Sequence, residues 1–350
     1  MKIALLASGG VDSSVALRLL KEQGHDVTAF YLKIWLEDEL QHLSDCPWEE
    51  DLSYVRQICD ELQIPLEVVP MQKEYFETVV AYTIKEVKEG RTPNPDVMCN
   101  SHVKFGLFVD KIDSSFDKIA TGHYAQIHEE DGIYYLKQAP DPIKDQTYFL
   151  SRLSQSQLSR IIFPIGHLSK DEVRELAEKY NLPNKNRKDS QGICFLGKFK
   201  YSDFLSHYLG KMEGDMLEFE TGKKLATHDG FYYYTIGQRK GIHLPDGPWF
   251  VVKKDTKQNI VYVSKSYHDE DKKRDTVNLT DFNWFSGHPP QEKTLKVKLR
   301  HGENFHNATF TELTKDRATI VLDTDDQGIA PGQFAVFYNQ DICLGSAMII

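Results

Sequence analysis

The stretch MKIALLASGGVDSSVALRLL at the start of the chain constrains its fold more than any other. Lys2 to Ala7 is a short apolar run that predicts a strand. It breaks at Ser8-Gly9-Gly10, after which Val11, Val15, Ala16, Leu19 and Leu20 recur at helical spacing. Strand, glycine turn and helix start aim backbone N–H groups and the positive helix end at one point, which suits an anion. Gly9 and Gly10 admit close approach, and Ser8, Ser13 and Ser14 add hydroxyl donors. The pattern is neither GxxxxGK(S/T), whose Lys is missing, nor GxGxxG. Taken alone, it fits a strand-to-helix corner with Asp and Ser caps as well as a phosphate cradle.

The next hundred residues predict an α/β fold. Asp26–Trp35, Pro65–Val69 and Lys118–Thr121 read as strands, separated by helical patterns over Glu49–Leu62 and from Gln72 to Gly90. This alternation implies a doubly wound parallel sheet with ligands at the carboxyl ends of its strands. His123–Gln138 reads as a hairpin turning at Asp131-Gly132, and Ser169-Lys-Asp-Glu172 as a capping box opening a helix. A last helical segment covers Tyr201–Leu209. Beyond it the texture turns to short aromatic and β-branched runs: FYYYT (231–235), FVV, IVYV, LKVKL, ATIVL and FAVFY. We expect an α/β domain over 1–208, a small β domain over 209–273 and a C-terminal β-barrel over 274–350, with the charged run His268–Asp275 as a joint.

A length of 350 residues supports two or three domains. No apolar run approaches the roughly 20 residues of a membrane span, and the first strand begins at once, so a cytoplasmic protein without a membrane partner is expected. The net charge of −10 argues against non-specific coating of nucleic acid. It leaves room for a local patch, and Lys185, Arg187, Lys188, Lys198 and Lys200 form one that is expected to meet phosphates. Cys46, Cys59, Cys99, Cys194 and Cys343 are scattered and form no CxxC pair, so neither a disulfide framework nor a zinc site is expected.

Two of these cysteines sit in unusual surroundings. In RTPNPDVMCN (91–100), Pro93 and Pro95 stiffen the chain and would hold Asp96 and Cys99 at a helix start, where a thiolate is favoured. In DSQGICF (189–195), Cys194 lies within the basic patch, which would also stabilise a thiolate. Each admits a plainer reading: a proline-rich connector with a buried cysteine, and a solvated basic loop.

SGGVDSS resembles the pyrophosphate loop of the ATP pyrophosphatase superfamily. Together with PNPDVMCN, TGHY (121–124), KDQTYFL (144–150), DSQGICF, YTIGQRKGI (234–242) and GQFAVFY (332–338), in this order, the chain resembles the tRNA-specific 2-thiouridylases from end to end. That resemblance implies 2-thiolation of the wobble uridine by adenylation of the uracil C2 oxygen and sulfur transfer from a cysteine persulfide. It implies that Ala7, Ser8, Gly9, Gly10, Val11, Asp12, Ser13 and Ser14 bind ATP, with Asp12 near Mg²⁺, and that Leu32 and Gly122 complete the site. Cys194 would carry the persulfide, Cys99 would be the second thiol and Asp96 the general acid/base. Asn94, Pro95 and Asp96 would surround the flipped base. His123, Lys144, Asp145, Gln146, Arg300, His301 and Gln333 would contact tRNA. The partners implied are tRNAs accepting Lys, Glu and Gln and a persulfide sulfur-donor protein.

The chain departs from the family pattern at Lys33-Ile-Trp35, usually Lys-Asn-Trp, at Arg300-His301, usually Arg-Tyr, and in the tail CLGSAMII. Two other readings of the residues stay open on sequence alone. One is an adenylating ligase with structural cysteines; the other is a non-catalytic RNA-binding protein with a relic ATP loop.

Overall fold

The computed structural model describes residues 1–34, 48–188, 201–267 and 274–350. Cys46, Cys194, Lys198 and Lys200 therefore lie outside the described residues, as do Trp35 and most of the expected joint. The expected strands form as β1 (Lys2–Leu6), β2 (Asp26–Lys33), β3 (Leu66–Pro70) and β4 (Lys118–Thr121). After the hairpin β5 (Ala125–Glu130) and β6 (Ile133–Gln138), a short β7 (Ile161–Ile162) completes a parallel sheet of order β3-β2-β1-β4-β7. Strand order reverses direction at β1, with β2 on one side and β4 on the other. A crevice at the carboxyl ends of β1 and β4 results from that topology.

Alternation along β1 serves the two faces of the sheet. Ile3 and Leu5 pack with α1 (Val11–Glu22), α2 (Trp48–Leu62) and α3 (Lys170–Lys179), through Val15, Leu20, Val55, Leu62 and Val173. Ala4 and Leu6 face the helical stretches 72–88 and 95–107, through Val79, Val103, Phe105 and Phe108. The hairpin turns at Asp131 and Gly132, both at positive φ (52° and 77°). The helix α4 (Tyr201–Leu209) precedes the second sheet.

That sheet is β8 (Gly214–Glu218), β9 (Lys224–His228), β10 (Phe250–Asp255) and β11 (Ile260–Ser264), in the order β10-β11-β8-β9. The expected strand at 231–235 is a correction: Phe231–Tyr233 is a single 3₁₀ turn. Gly230, at φ 143°, swings the chain out of line, and Asn259 Oδ1 takes the Phe231 N–H at 3.0 Å.

The remaining strands are β12 (Thr276–Trp284), β13 (Thr294–Lys298), β14 (His306–Leu313), β15 (Arg317–Leu322), β16 (Phe334–Asn339) and β17 (Ile342–Ile349). They pair antiparallel as β12-β15-β14-β13-β16-β17, and β12 also pairs with β17, which closes a six-stranded barrel. The barrel is joined to the first domain by a shared sheet, because β6 pairs with β17 through Leu136 with Cys343 and Lys137 with Ile342. The expected architecture, a parallel sheet followed by a small β domain and a barrel, is the one observed.

Candidate active site

The loop after β1 lies at the switch point of the parallel sheet. Gly9 adopts φ 77°, and a Cβ there would come within 2.6 Å of the Asp51 carbonyl oxygen, so the loop is folded tightly under α2. Gly10 has ordinary backbone angles and caps α1 without a side-chain hydrogen bond. The first-turn N–H groups of α1, which have no intrahelical acceptors, thus receive none from a cap side chain. Ser13 and Ser14 hydroxyls both donate to the Gly10 carbonyl at 3.0 Å, and Ser8 N donates to Ser13 Oγ at 3.2 Å. Gly122, at the end of β4, packs against this turn: a Cβ would meet Ser13 N at 2.7 Å. Leu32, next to last in β2, is partly buried against the core.

Three residues that the sequence did not single out for this loop complete it. The Lys170 ammonium lies 2.7 Å from Asp12 Oδ1, which also accepts from the Tyr124 hydroxyl at 2.9 Å. Lys170 opens α3, behind a complete Ser169–Glu172 capping box, and its charge is within reach of any phosphate seated on the loop. Asn184 donates to Gly9 O at 2.8 Å and Ser14 Oγ at 2.9 Å. Arg187 donates to Gly9 O at 3.1 Å and pairs with Asp51. Burial pushes the Asp51 carboxyl up, against the opposing pull of Arg187. The basic patch is accordingly not a uniform surface: Arg187 is turned into the loop, and Lys185 pairs with Glu178 at 2.8 Å. For Asn184 and Arg187 the only sequence signal was the polar and charged run 184–188.

The second centre is the proline-framed turn. Asn94 caps the helix that begins at Pro95, its Oδ1 accepting from Val97 N at 3.3 Å. Asp96 lies in the first turn, and Cys99 comes in the next turn, buried with 1% of its surface exposed. The cysteine is thus inside the helix rather than at its first residue. Burial pushes the nearby Tyr82 hydroxyl up to about 12, and burial likewise raises Tyr148. Among the described residues no group of three His, Cys, Asp or Glu side chains is arranged to hold a metal, and no helix is long and apolar enough to cross a membrane.

Residues 1–198 match a family described as the tRNA methyl transferase HUP domain, residues 202–265 the tRNA methyl transferase PRC-barrel domain and residues 274–349 the aminomethyltransferase beta-barrel domain. The tRNA-specific 2-thiouridylase MnmA of Parabacteroides distasonis is 48% identical over 356 residues, covering 100% of this chain and 99% of its own. The corresponding MnmA 1 of Bacteroides thetaiotaomicron is 47% identical over 355 residues, with the same coverage. The chain belongs to the tRNA-specific 2-thiouridylase family. Among solved structures, a 4-thiouridine synthetase–RNA complex with bound ATP is 17% identical at a TM-score of 0.34, covering 56% of this chain and 45% of that one.

In this 2-thiouridylase family member, several of the residues expected to contact tRNA lie where the first domain meets the barrel, and several have partners within the chain. Asp145 is buried, accepting from Thr147 Oγ1 at 2.8 Å and from the buried Lys298 ammonium of β13 at 3.1 Å. Gln146 exchanges hydrogen bonds with the Tyr124 backbone, both at 2.9 Å. His123 bonds Thr121 Oγ1 at 2.7 Å and sits between Phe105 and Phe163; burial holds its pKa well below 6.5, so it is a neutral ring. Arg300 is spent on a bidentate pair with Asp326 at 2.9 and 2.8 Å. Of these four, Asp145 is buried, Gln146 and His123 are half-buried and Arg300 is exposed, and each has a partner within the chain. His301 keeps an exposed ring, stacked on Phe149 at 4.6 Å, with Asp96 near enough to act on its charge. Lys144 is partly exposed. Gln333 reaches from the barrel to the proline turn, donating to Thr92 O and Pro93 O at 2.9 Å each.

Proposed function

We propose that this chain is a tRNA-uridine 2-sulfurtransferase that uses ATP to thiolate the wobble uridine of tRNAs accepting Lys, Glu and Gln. The observation that carries the reading is the pairing of two features in one domain: an SGGVDSS turn at the sheet's switch point and a buried Cys99 on a proline-framed helix start. A methyl transfer, which the family descriptions name, would use neither. A uracil C2 carbonyl is a poor electrophile because its oxygen leaves badly. ATP supplies an adenylate on that oxygen, turning it into a leaving group.

The side chains at hand suit each part. The first-turn N–H groups of α1 and the Lys170 ammonium face the place a triphosphate would take, and the Asp12 carboxylate is a hard oxygen ligand fit for Mg²⁺. Asp96 holds or delivers a proton at the base. Cys194 carries sulfur received from a persulfide-donor protein. That sulfur adds to C2 as AMP departs, and the Cys99 thiolate takes up the Cys194 sulfur in a disulfide. The identity of the family's relatives, nearly half over the full length, supports the substrate class. We divide the chain into 1–208, 209–273 and 274–350 on the same reading. A direct test is pyrophosphate release: it should require tRNA together with ATP, and disappear in Gly10→Val, where a branched side chain fills the phosphate approach. Release at the parent rate by that variant would remove the proposed cradle.

A further inference from the structure

The proline turn cannot hold itself in place. Pro93 and Pro95 have no N–H, so the carbonyls of Thr92 and Pro93 need donors from outside the turn. One side chain supplies both: Gln333 Nε2 donates to Thr92 O and to Pro93 O, each at 2.9 Å. Its Oε1 accepts from Asn94 Nδ2 at 3.2 Å and from the Tyr148 hydroxyl at 3.4 Å. Asn94 in turn caps the helix that carries Asp96 and Cys99. Backbone contacts run alongside, since Thr92 N donates to Pro331 O at 2.7 Å. Gly332, at φ 90°, permits the approach, because a Cβ there would stand 2.9 Å from Thr92 O.

We infer that Gln333 is a positioning residue, a clamp from the barrel that fixes the 92–95 turn and thereby sets Asp96 and Cys99 for sulfur transfer. This rests on the reading of Cys99 as a reacting thiol. An amide reserved for RNA would leave those two carbonyls to water; here one amide satisfies both and the capping asparagine as well. Local opening of the turn, not unfolding of the molecule, then governs access to the buried Cys99 thiol.

The test uses the full chain, with Gln333→Leu and Gln333→Glu as two independent variants; the second keeps an acceptor for Asn94 and Tyr148 but loses both donors. Iodoacetamide labelling without ATP or tRNA is followed by peptide mass spectrometry, with the buried Cys59 and Cys343 as internal controls. Loss of two hydrogen bonds is expected to speed Cys99 labelling about tenfold and to lower kcat for thiolation about tenfold, with the tRNA Kd within about twofold. Labelling of the two controls should not change. Weakened tRNA binding with Cys99 labelling unchanged would overturn the clamp in favour of an RNA contact. A parallel rise at all three cysteines would overturn it in favour of general loosening, and no change in either readout would also overturn it. Faster Cys99 labelling in the variants, with a wild type that makes no 2-thiouridine, would support the clamp and remove the thiolation reading instead.

Discussion

Gly9 and Gly10 are neighbours under different constraints. Gly9 needs a positive φ and leaves no room for a Cβ beneath Asp51, so Gly9→Ala should cost at least about 1–2 kcal/mol of stability. Gly10 has an ordinary backbone, so Gly10→Val should melt near the wild type while losing pyrophosphate release. Thermal melts beside the release assay separate the two; a fully stable Gly9→Ala would contradict the packing described. His123 offers a pH test. Its folded pKa lies well below 6.5, so below that value the unfolded chain binds a proton the folded ring refuses. The contribution is complete above about pH 6.5 and is lost on acidification, by up to about 1.4 kcal/mol per pH unit. Urea melts between about pH 7.5 and 5 should show a shallower fall for His123→Asn, which keeps a partner for Thr121. An identical slope would mean that the ring is protonated in the fold. At this scale the sequence spelled out the loop and Cys99, because their signals are local. It did not disclose that Asp145 and Arg300 are spent on Lys298 and Asp326, since partners so distant along the chain leave no trace in one sequence.

Among the elements, α3 best shows what local chemistry can announce. The Ser169–Glu172 box was readable, and it forms with both reciprocal hydrogen bonds. What it positions was not readable: Lys170 against Asp12 of α1. Ser169→Ala should lower stability by about 1 kcal/mol. Lys170→Met should spare the fold and slow tRNA-dependent pyrophosphate release, because the loop loses the cation paired with Asp12. Unchanged release would leave Lys170 as no more than a counter-charge. The hairpin at Asp131-Gly132 and four of the five parallel strands were legible for the same local reason, while the two-residue β7 is too short to carry a pattern. The aromatic run at 231–235 misled because β propensity describes a half-buried surface, and Gly230 turns that surface into a tight bend. β12, β14 and β17 carry polar residues on their outer face or an interrupting glycine, so no continuous apolar run marked them.

Across the whole molecule, the barrel is bound into the N-terminal domain rather than appended to it. β6 continues the barrel sheet, Gln333 grips the proline turn, and Lys298 meets Asp145 with both side chains out of water. Lys298→Met strands a buried carboxylate and should cost about 3–5 kcal/mol. Adding Asp145→Asn should recover part of that loss, and a neutral Lys298→Met would contradict the burial of the pair. Such coupling ties the C-terminal domain to the turn that carries Cys99. The central claim is ATP-dependent exchange of oxygen for sulfur on a tRNA uridine, and nucleoside mass spectrometry tests it most directly. Purified protein, unmodified tRNA, ATP and a persulfide donor should yield 2-thiouridine at the wobble position. Omission of ATP, or Cys99→Ser or Cys194→Ser, should abolish it. Formation of 2-thiouridine without ATP, or at the parent rate by either cysteine variant, or of a methylated uridine in its place, would contradict the account.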